Sequence, residues 1–102
     1  MKRAEVYQQG KLAGMLEESG GARWRFTYAE SYAGQPVSLT MPVARQVYEF
    51  DHFPPVFEGL LPEGIQLEAM LRRYKLDRSD LFRQLVIAGQ DLVGSLTVKE
   101  VK

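Results

Sequence analysis

The sequence has 102 residues, of which 45% are hydrophobic and 25% are charged, as expected of one folded domain over residues 1–102. Thirteen basic residues balance thirteen acidic ones, which argues against DNA or RNA as a direct partner, because nucleic-acid-binding domains usually carry a basic excess. The lack of cysteine excludes disulfides, thiolate metal sites and cysteine nucleophiles.

Neither the start of the chain nor its apolar runs indicate a membrane. The first residues, MKRAEVYQQG, include basic side chains but lack the apolar core of a signal peptide. No apolar run reaches the roughly 18 residues of a transmembrane helix. We therefore expect a cytoplasmic location and no membrane partner.

The N-terminal part of the chain carries the patterns of antiparallel strands. Residues 3–8 and 11–19 flank Gln9-Gly10, a pair suited to a tight hairpin turn. Residues 23–28 (RWRFTY) alternate strictly, and their apolar side chains share one face: Trp24, Phe26 and Tyr28. Such alternation is typical of a half-buried antiparallel strand, so we expect Trp24 in the core.

Residues 37–41 (VSLTM) repeat this alternation. The pattern predicts another strand, in which Val37, Leu39 and Met41 face the core. Pro42 ends the strand, because proline has no N–H to donate to a sheet ladder.

The second half of the chain changes to helical periodicity. In residues 62–76 (PEGIQLEAMLRRYKL) the apolar side chains recur at helical spacing: Leu67, Met70, Leu71 and Tyr74. Residues 77–91 (DRSDLFRQLVIAGQD) predict a second helix, which begins at a cap formed by Asp77 or Ser79 and stops at Gly89. Its predicted buried stripe consists of Leu81, Phe82, Leu85 and Val86.

The last segment returns to strand alternation. Residues 92–98 (LVGSLTV) place Leu96 and Val98 on one face. Two connected hairpins, a loop, two or three short helices and a returning strand predict an α+β domain. We expect a small antiparallel sheet of about five strands, packed with those helices.

Residues suited to catalysis or metal binding are sparse. The only histidine, His52, lies beside Phe53 and is more typical of a surface or packing residue than of a general base. One histidine and scattered carboxylates do not form a metal-ligand set. Glu58 and Glu63 have no neighbour in the sequence that would make one of them an acid and the other a base in catalysis. We therefore predict no enzyme activity, no cofactor and no metal.

Five segments, in the same order, resemble the N-terminal subdomain of HipA-type serine/threonine kinases, the toxins of bacterial persistence modules. They are AGML (residues 13–16), RFTYAESY (25–32), VSLTMP (37–42), FEGLLPEG (57–64) and GQDLVGSLTV (89–98). The FEGLLPEG block and the DLVGSL block are specific when they occur together. The resemblance covers nearly all of the chain.

The resemblance implies a fold like the HipA N-terminal subdomain and a role without catalysis. The 102 residues lack the Gly-rich loop, the catalytic-loop Asp with its Asn, and the Asp-Phe-Gly of a kinase. A free-standing copy of this subdomain is similar to the HipS proteins of three-gene HipBST modules. In those modules, the resemblance implies, HipS is the antitoxin that supplies this subdomain in trans to the kinase toxin HipT, and HipB is the DNA-binding member.

The block FEGLLPEG with the next residue is the candidate contact with such a kinase: Phe57, Glu58, Leu60, Leu61, Pro62, Glu63, Gly64 and Ile65. Apolar residues with a polar rim are typical of a docking surface, and Pro62 restricts the backbone. The helical spacing of Phe57, Leu60 and Leu61 leaves open that they fill the core instead. Some relatives carry a large aromatic residue after Pro-Glu-Gly, where this chain has Ile65.

Two other functions stay open. The chain is alternatively a regulatory N-terminal domain of a full-length HipA-type kinase, in which case the reading frame continues into a kinase. The third hypothesis is a nucleic-acid-binding autoregulator that acts through the basic residues between Arg72 and Arg83. Zero net charge favours a solvated helix face at that cluster.

Overall fold

The computed structural model describes residues 2–89 and 96–101, which form an α+β domain with a five-stranded antiparallel sheet. In chain order the elements are β1 (Arg3–Gln8), β2 (Lys11–Gly20), β3 (Arg23–Tyr28), β4 (Val47–Phe50), α1 (Pro55–Glu58), α2 (Gly64–Tyr74), α3 (Leu81–Ala88) and β5 (Leu96–Glu100). The strand order in the sheet is β4-β3-β2-β1-β5. The predicted fold class is confirmed.

The hairpin of β1 and β2 forms as the sequence predicts. Gln9 and Gly10 both have positive φ, 52° and 80°, the backbone pattern of the two-residue turn that matches the twist of paired strands. Strand β1 has the predicted bounds, and β2 continues one residue further than predicted, to Gly20. β3 also has its predicted bounds and pairs with β2 through contacts such as Leu16 opposite Phe26.

The strand predicted over residues 37–41 is wrong, because these residues form a turn outside the sheet. Val37 and Met41 are buried as expected, but Leu39 is 95% exposed. The hydroxyl of Tyr28 accepts a hydrogen bond from the backbone N–H of Val37 and donates one to the carbonyl of Met41. These bonds occupy the backbone groups that a sheet ladder would need, so alternation alone was misleading here.

The fourth strand of the sheet is β4, which the sequence analysis missed. It pairs with β3, where Tyr48 lies opposite Phe26. Tyr48 is buried, and its hydroxyl donates a hydrogen bond to the carbonyl of Pro42 at 2.7 Å. With four residues and one buried side chain, β4 is too short to produce a recognisable alternating pattern.

The core lies between one face of the sheet and helices α1 and α3. Trp24 stacks on Phe82 of α3 at 5.5 Å between ring centroids and meets Phe53 edge-on at 5.1 Å. Phe26 contacts Phe57 of α1 at 5.8 Å. Aromatic pairs at such distances add to the free energy of burial. The expectation that Trp24 is a core residue is confirmed, since only 7% of it is exposed.

Helix α3 begins at a different cap from the predicted ones. The carboxylate of Asp80 accepts a hydrogen bond from the N–H of Arg83 at 3.1 Å, whereas Asp77 accepts from the N–H of Ser79 in the preceding turn. Both aspartates are therefore used, but only Asp80 satisfies a free N–H of the helix. In the predicted stripe, two residues are buried and two are half-buried: Phe82 and Leu85, and Leu81 and Val86.

The end of α3 lies against β5. Gly89 is the C-cap with an ordinary helical φ of −60°, and a Cβ at this position would lie 2.5 Å from the carbonyl oxygen of Val98. Glycine is therefore required by the close approach of β5. Leu96 and Val98 are buried on one face, as predicted, while residues 92–95 of that prediction lie outside the described residues.

Helix α2 is peripheral. Its predicted stripe is only partly buried, since Leu71 is buried, Leu67 and Met70 are half-buried, and Tyr74 is 47% exposed. The guanidinium of Arg78 ties the helix to the chain before α3 through two contacts with the carboxylate of Glu68, at 2.6 and 2.8 Å. No helix within residues 2–89 and 96–101 is long and apolar enough to cross a bilayer.

Candidate functional site

The candidate site is the segment of residues 57–65, which starts in α1 and ends in the first turn of α2; we call it the 57–65 segment. Two prolines set the start of α1. Pro54 is extended at the N-cap, and Pro55 occupies the first turn, where its missing N–H costs nothing. After α1 the chain continues in tight turns. The N–H of Leu60 donates to the carbonyl of Phe57, and that of Leu61 to the carbonyl of Glu58, both at 3.1 Å.

The first part of the 57–65 segment belongs to the core. Phe57 is completely buried and Leu61 is 9% exposed. Leu60 is half-buried and packs against the core cluster. For Phe57 and Leu61 the structure therefore supports the core alternative that the sequence left open. Their side chains anchor the segment to the core and do not contribute to its exposed surface.

The second part of the 57–65 segment lies at the surface. Glu63 and Gly64 are exposed, Pro62 is half-buried, and Ile65 is 88% exposed. An isoleucine that is almost wholly solvated at the start of a helix contributes little to the stability of the isolated domain. The segment therefore presents an exposed apolar side chain, Ile65, together with an exposed acidic one, Glu58.

Gly64 fixes the direction in which α2 leaves the segment. It has a φ of +60°, and a Cβ at this position would have no atom within 4 Å. The glycine is therefore required by the left-handed backbone and not by lack of space. Glu63, the N-cap, is extended with φ −127° and makes no side-chain capping bond. Ile65 follows this bend directly, so its position depends on the backbone at Gly64.

The basic residues near α2 are partly neutralised within the described residues. Arg78 is paired with Glu68, and this hydrogen bond holds the pKa of the Glu68 carboxyl below its ordinary value. Arg83 lies 3.3 Å from a carboxylate oxygen of Glu100. Of the cluster between residues 72 and 83, two arginines thus have acidic partners. This pairing favours the solvated-face interpretation over a phosphate-binding surface.

Within residues 2–89 and 96–101, His52 and the carboxylates do not assemble into a metal-binding cluster. His52 is exposed, and its Nδ1 lies 3.0 Å from the carbonyl oxygen of Phe53. In the part of the chain that the structure describes, no cluster of three or more His, Cys, Asp or Glu residues has the arrangement to hold a metal ion. The 57–65 segment offers shape and apolar surface, not reactive chemistry.

Comparison with known proteins identifies the domain. The family model of the HipA N-terminal domain matches residues 4–99. The chain belongs to the HipA N-terminal domain family. A solved structure of the N-terminal domain of HipA toxin superposes with a TM-score of 0.79 and 28% sequence identity, covering all of this chain and 94% of that one. The match is to the N-terminal domain and not to a kinase catalytic domain.

A protein of Haemophilus influenzae, described only as uncharacterized, is also similar to this chain. It is 29% identical over 102 residues, which is all of this chain and 95% of that protein. That relative is therefore about as long as this chain.

The surface residue that the sequence analysis placed wrongly is Leu39. The alternation of VSLTMP, which resembles a segment of HipA-type proteins, predicts an inward Leu39. The flanking Pro36 and Pro42, with the turn-forming Ser38 inside, were the signal for a turn that could have placed it correctly.

Proposed function

We propose that this chain is an antitoxin that binds and neutralises a separately encoded HipA-like serine/threonine kinase toxin. In this proposal the toxin is HipT-like and lacks its own N-terminal subdomain, which the chain supplies in trans as HipS proteins do. The observation that carries the proposal is the match to the HipA N-terminal domain over residues 4–99. The Haemophilus relative, about one domain long, supports an existence apart from a kinase.

A detached domain of this kind must keep a surface that fits the remainder of the toxin. Such surfaces are apolar at the centre and polar at the rim. Ile65 supplies an apolar side chain that is 88% exposed, and exposed Glu58 and Glu63 supply polar neighbours. We propose that Pro62, Glu63, Gly64 and Ile65 touch the kinase, while Phe57, Leu60 and Leu61 hold them in position.

The proposed mechanism is inhibition by binding, without catalysis by this chain. Docking of the surface part of the 57–65 segment hinders closure of the kinase active site. Because Phe57 and Leu61 are buried and the bend at Gly64 is built in, the segment loses little conformational entropy when it docks. Isoleucine is smaller than the aromatic residue of some relatives, so its contact area is smaller. A HipB-like DNA-binding protein is the proposed third member of the complex.

Co-expression with the HipA-like kinase encoded beside this gene tests the proposal. The wild-type chain is expected to restore growth of cells that express the kinase, and Ile65→Asp is expected to lose that rescue. Gln66→Asp is the matched control. Both changes place a carboxylate in the first turn of α2, where the helix dipole favours it, but only Ile65→Asp removes the apolar side chain.

Three results would count against this function or against its proposed contact. The kinase remains toxic in the presence of folded wild-type chain; Ile65→Asp rescues as well as wild type; or Ile65→Asp and Gln66→Asp lose rescue equally. The first eliminates the antitoxin role, and the other two eliminate Ile65 as the contact. Leu60 is not a clean position for this test, because it packs against the core and a buried Asp would unfold the domain.

The likeness to the N-terminal domain of HipA toxin supports a second candidate, a regulatory N-terminal domain within a longer HipA-type kinase. The gene sequence beyond codon 102 separates the two. A stop codon supports the separate antitoxin, and a continuing frame with kinase motifs supports the regulatory domain.

A further inference from the structure

Helix α2 takes no part in the core that joins the other elements. Within residues 2–89 and 96–101, all five strands and helices α1 and α3 contribute buried side chains to one hydrophobic cluster, and α2 contributes none. The half-buried side chains that pack against this cluster also come from outside α2. Leu71 is the buried residue of the helix, and it lies outside the cluster. The apolar burial that stabilises the sheet with α1 and α3 therefore does not depend on α2.

A residue with left-handed backbone lies at each end of α2. Gly64, the first residue of the helix, has φ +60°, and Lys75, its C-cap, has φ 55° and ψ 49°. This geometry suits glycine and is unfavourable for lysine, whose Cβ crowds the following carbonyl. At the start of the helix, Glu63 makes no side-chain capping bond. The ends of α2 therefore stabilise it less than a glycine C-cap and a bonded N-cap would.

The chain on either side of α2 is anchored to the core. Before the helix, Leu61 belongs to the hydrophobic cluster. After it, the side-chain amide of Gln84, a residue that is 1% exposed, donates hydrogen bonds to the carbonyls of Asp77 and Arg78 at 3.1 and 3.0 Å. Loss of the partners of a buried amide is costly. Movement of α2 is therefore confined to the residues between Leu61 and Asp77.

An ion pair connects α2 to the anchored chain that follows it. The guanidinium of Arg78 makes two contacts with the carboxylate of Glu68, at 2.6 and 2.8 Å. Glu68 lies within the helix, and the carbonyl of Arg78 is bound by Gln84. Both charged side chains are exposed, and exposed pairs stabilise weakly. The pair is therefore a weak and reversible contact between α2 and the rest of the domain.

From these observations we infer that α2 opens transiently as a unit, about Gly64 and Lys75, while the sheet, α1 and α3 stay folded. The opening breaks the Glu68–Arg78 pair but none of the aromatic contacts of the core. A segment with few buried apolar contacts opens at a lower free energy than the core strands do. The inference goes beyond the proposed function and does not require the kinase. Ile65, the proposed contact, lies on α2 and moves with it.

Native-state hydrogen exchange of the purified chain measures this opening. We expect the hydrogen-bonded amides of residues 68–74 to be at least about 100-fold less protected than the slowest amides of β2 and β3, and to share one opening free energy. Ala69 is exposed in the middle of α2. Ala69→Gly is expected to speed the exchange of all these α2 amides together, by about fivefold, because glycine disfavours the helix.

A core variant separates local opening from global unfolding. Val6 lies on β1, is completely buried and belongs to the core cluster. Val6→Ala is expected to speed exchange of the slowest sheet amides by at least about tenfold, because it leaves a cavity. The α2 amides are expected to keep their wild-type rates, because Val6 is equally buried whether α2 is closed or open.

Two proline variants test the same inference by melting. Proline inside a helix removes a backbone hydrogen bond and clashes with the preceding turn. Ala69→Pro in α2 is expected to keep a cooperative melting transition and the near-ultraviolet dichroism of the Trp24 contacts. Val86→Pro is the matched change in α3, whose Phe82 stacks on Trp24, and it is expected to lose both.

Three results would overturn the inference. In the first, the wild-type α2 amides exchange as slowly as the slowest sheet amides. In the second, Val6→Ala speeds the α2 amides by the same factor as the sheet amides. In the third, Ala69→Pro abolishes cooperative melting as Val86→Pro does. Each result would mean that α2 unfolds only with the whole domain, and none of them bears on kinase binding.

Discussion

Helices α1 and α2 are neighbours in the chain but have opposite roles. α1 has four residues and buries Phe57 completely, whereas α2 has eleven residues and buries only Leu71. The short helix lies against Phe26 of the sheet, and the long one is peripheral, with Ile65 exposed near its start. Length and apolar content therefore do not decide which helix stabilises the domain. α1 maintains the fold, whereas most residues of α2 are exposed to solvent.

Truncation of one residue in each helix is expected to give the largest contrast. Phe57→Ala leaves a cavity next to Phe26 and should cost about 3–5 kcal/mol of unfolding free energy. Ile65→Ala should change it by less than about 0.5 kcal/mol, as is usual for exposed positions. Urea denaturation of both variants measures the difference. Equal destabilisation would mean that α2 is part of the fold and not a free surface.

The hydroxyl of Tyr28 offers a test of how the turn of residues 37–41 is held within the fold. Tyr28→Phe leaves the buried N–H of Val37 without its acceptor and should cost about 1–3 kcal/mol. The amide of Val37 should then exchange its hydrogen faster. Tyr7→Phe is the control, because the Tyr7 hydroxyl donates only to the side chain of Glu5. Unchanged exchange at Val37 in Tyr28→Phe would show that the turn is held by other contacts.

The two glycines of the 57–65 segment permit a matched comparison. Gly64→Ala puts a Cβ on a residue with φ +60° and should cost about 1–2 kcal/mol. Gly59→Ala should cost nothing, because Gly59 is helical with φ −65° and its Cβ would be 3.4 Å from the nearest atom. Thermal unfolding distinguishes them. A Gly64→Ala variant as stable as wild type would remove the argument that the bend is built in.

The smallest expected effect is that of the Glu68–Arg78 pair on α2. The pKa of Glu68 is lowered by its hydrogen bond with Arg78 from an ordinary value of 4.5. The contribution of the pair is therefore present above pH 4.5 and is lost as the pH falls through the lower pKa of the folded protein. Both side chains are exposed, so Glu68→Gln should lower the melting temperature slightly, and less at high salt. A large loss at neutral pH would contradict the peripheral position of α2.

The sequence predicted those strands in which the alternation of apolar and polar residues follows burial in the sheet. The alternation of residues 23–28 is decided by burial alone, and β3 has the predicted bounds. Residues 37–41 alternate equally well, but their backbone is bound by a hydroxyl from another strand. No local pattern contains that contact. The alternation therefore predicts a strand, whereas the structure has a turn in which Leu39 is exposed.

The candidate site was predicted as a segment but not residue by residue. The sequence predicts FEGLLPEG followed by Ile65 as the candidate contact and leaves open that Phe57, Leu60 and Leu61 fill the core. The structure places Phe57 and Leu61 in the core and Ile65 at the surface. Helical spacing indicates that residues share a face, but not whether that face meets the sheet or the solvent. That division depends on where α1 lies on β3, which is a property of the tertiary structure.

The measurement that tests the central claim most directly is the titration of this chain into the purified HipA-like kinase that the proposed function requires, with kinase activity recorded at each step. The account predicts a stable complex and a loss of activity that follows the bound fraction, with weaker binding for Ile65→Asp and no change for Gln66→Asp. A folded chain that forms no complex at micromolar concentrations, or a complex with full kinase activity, would contradict it.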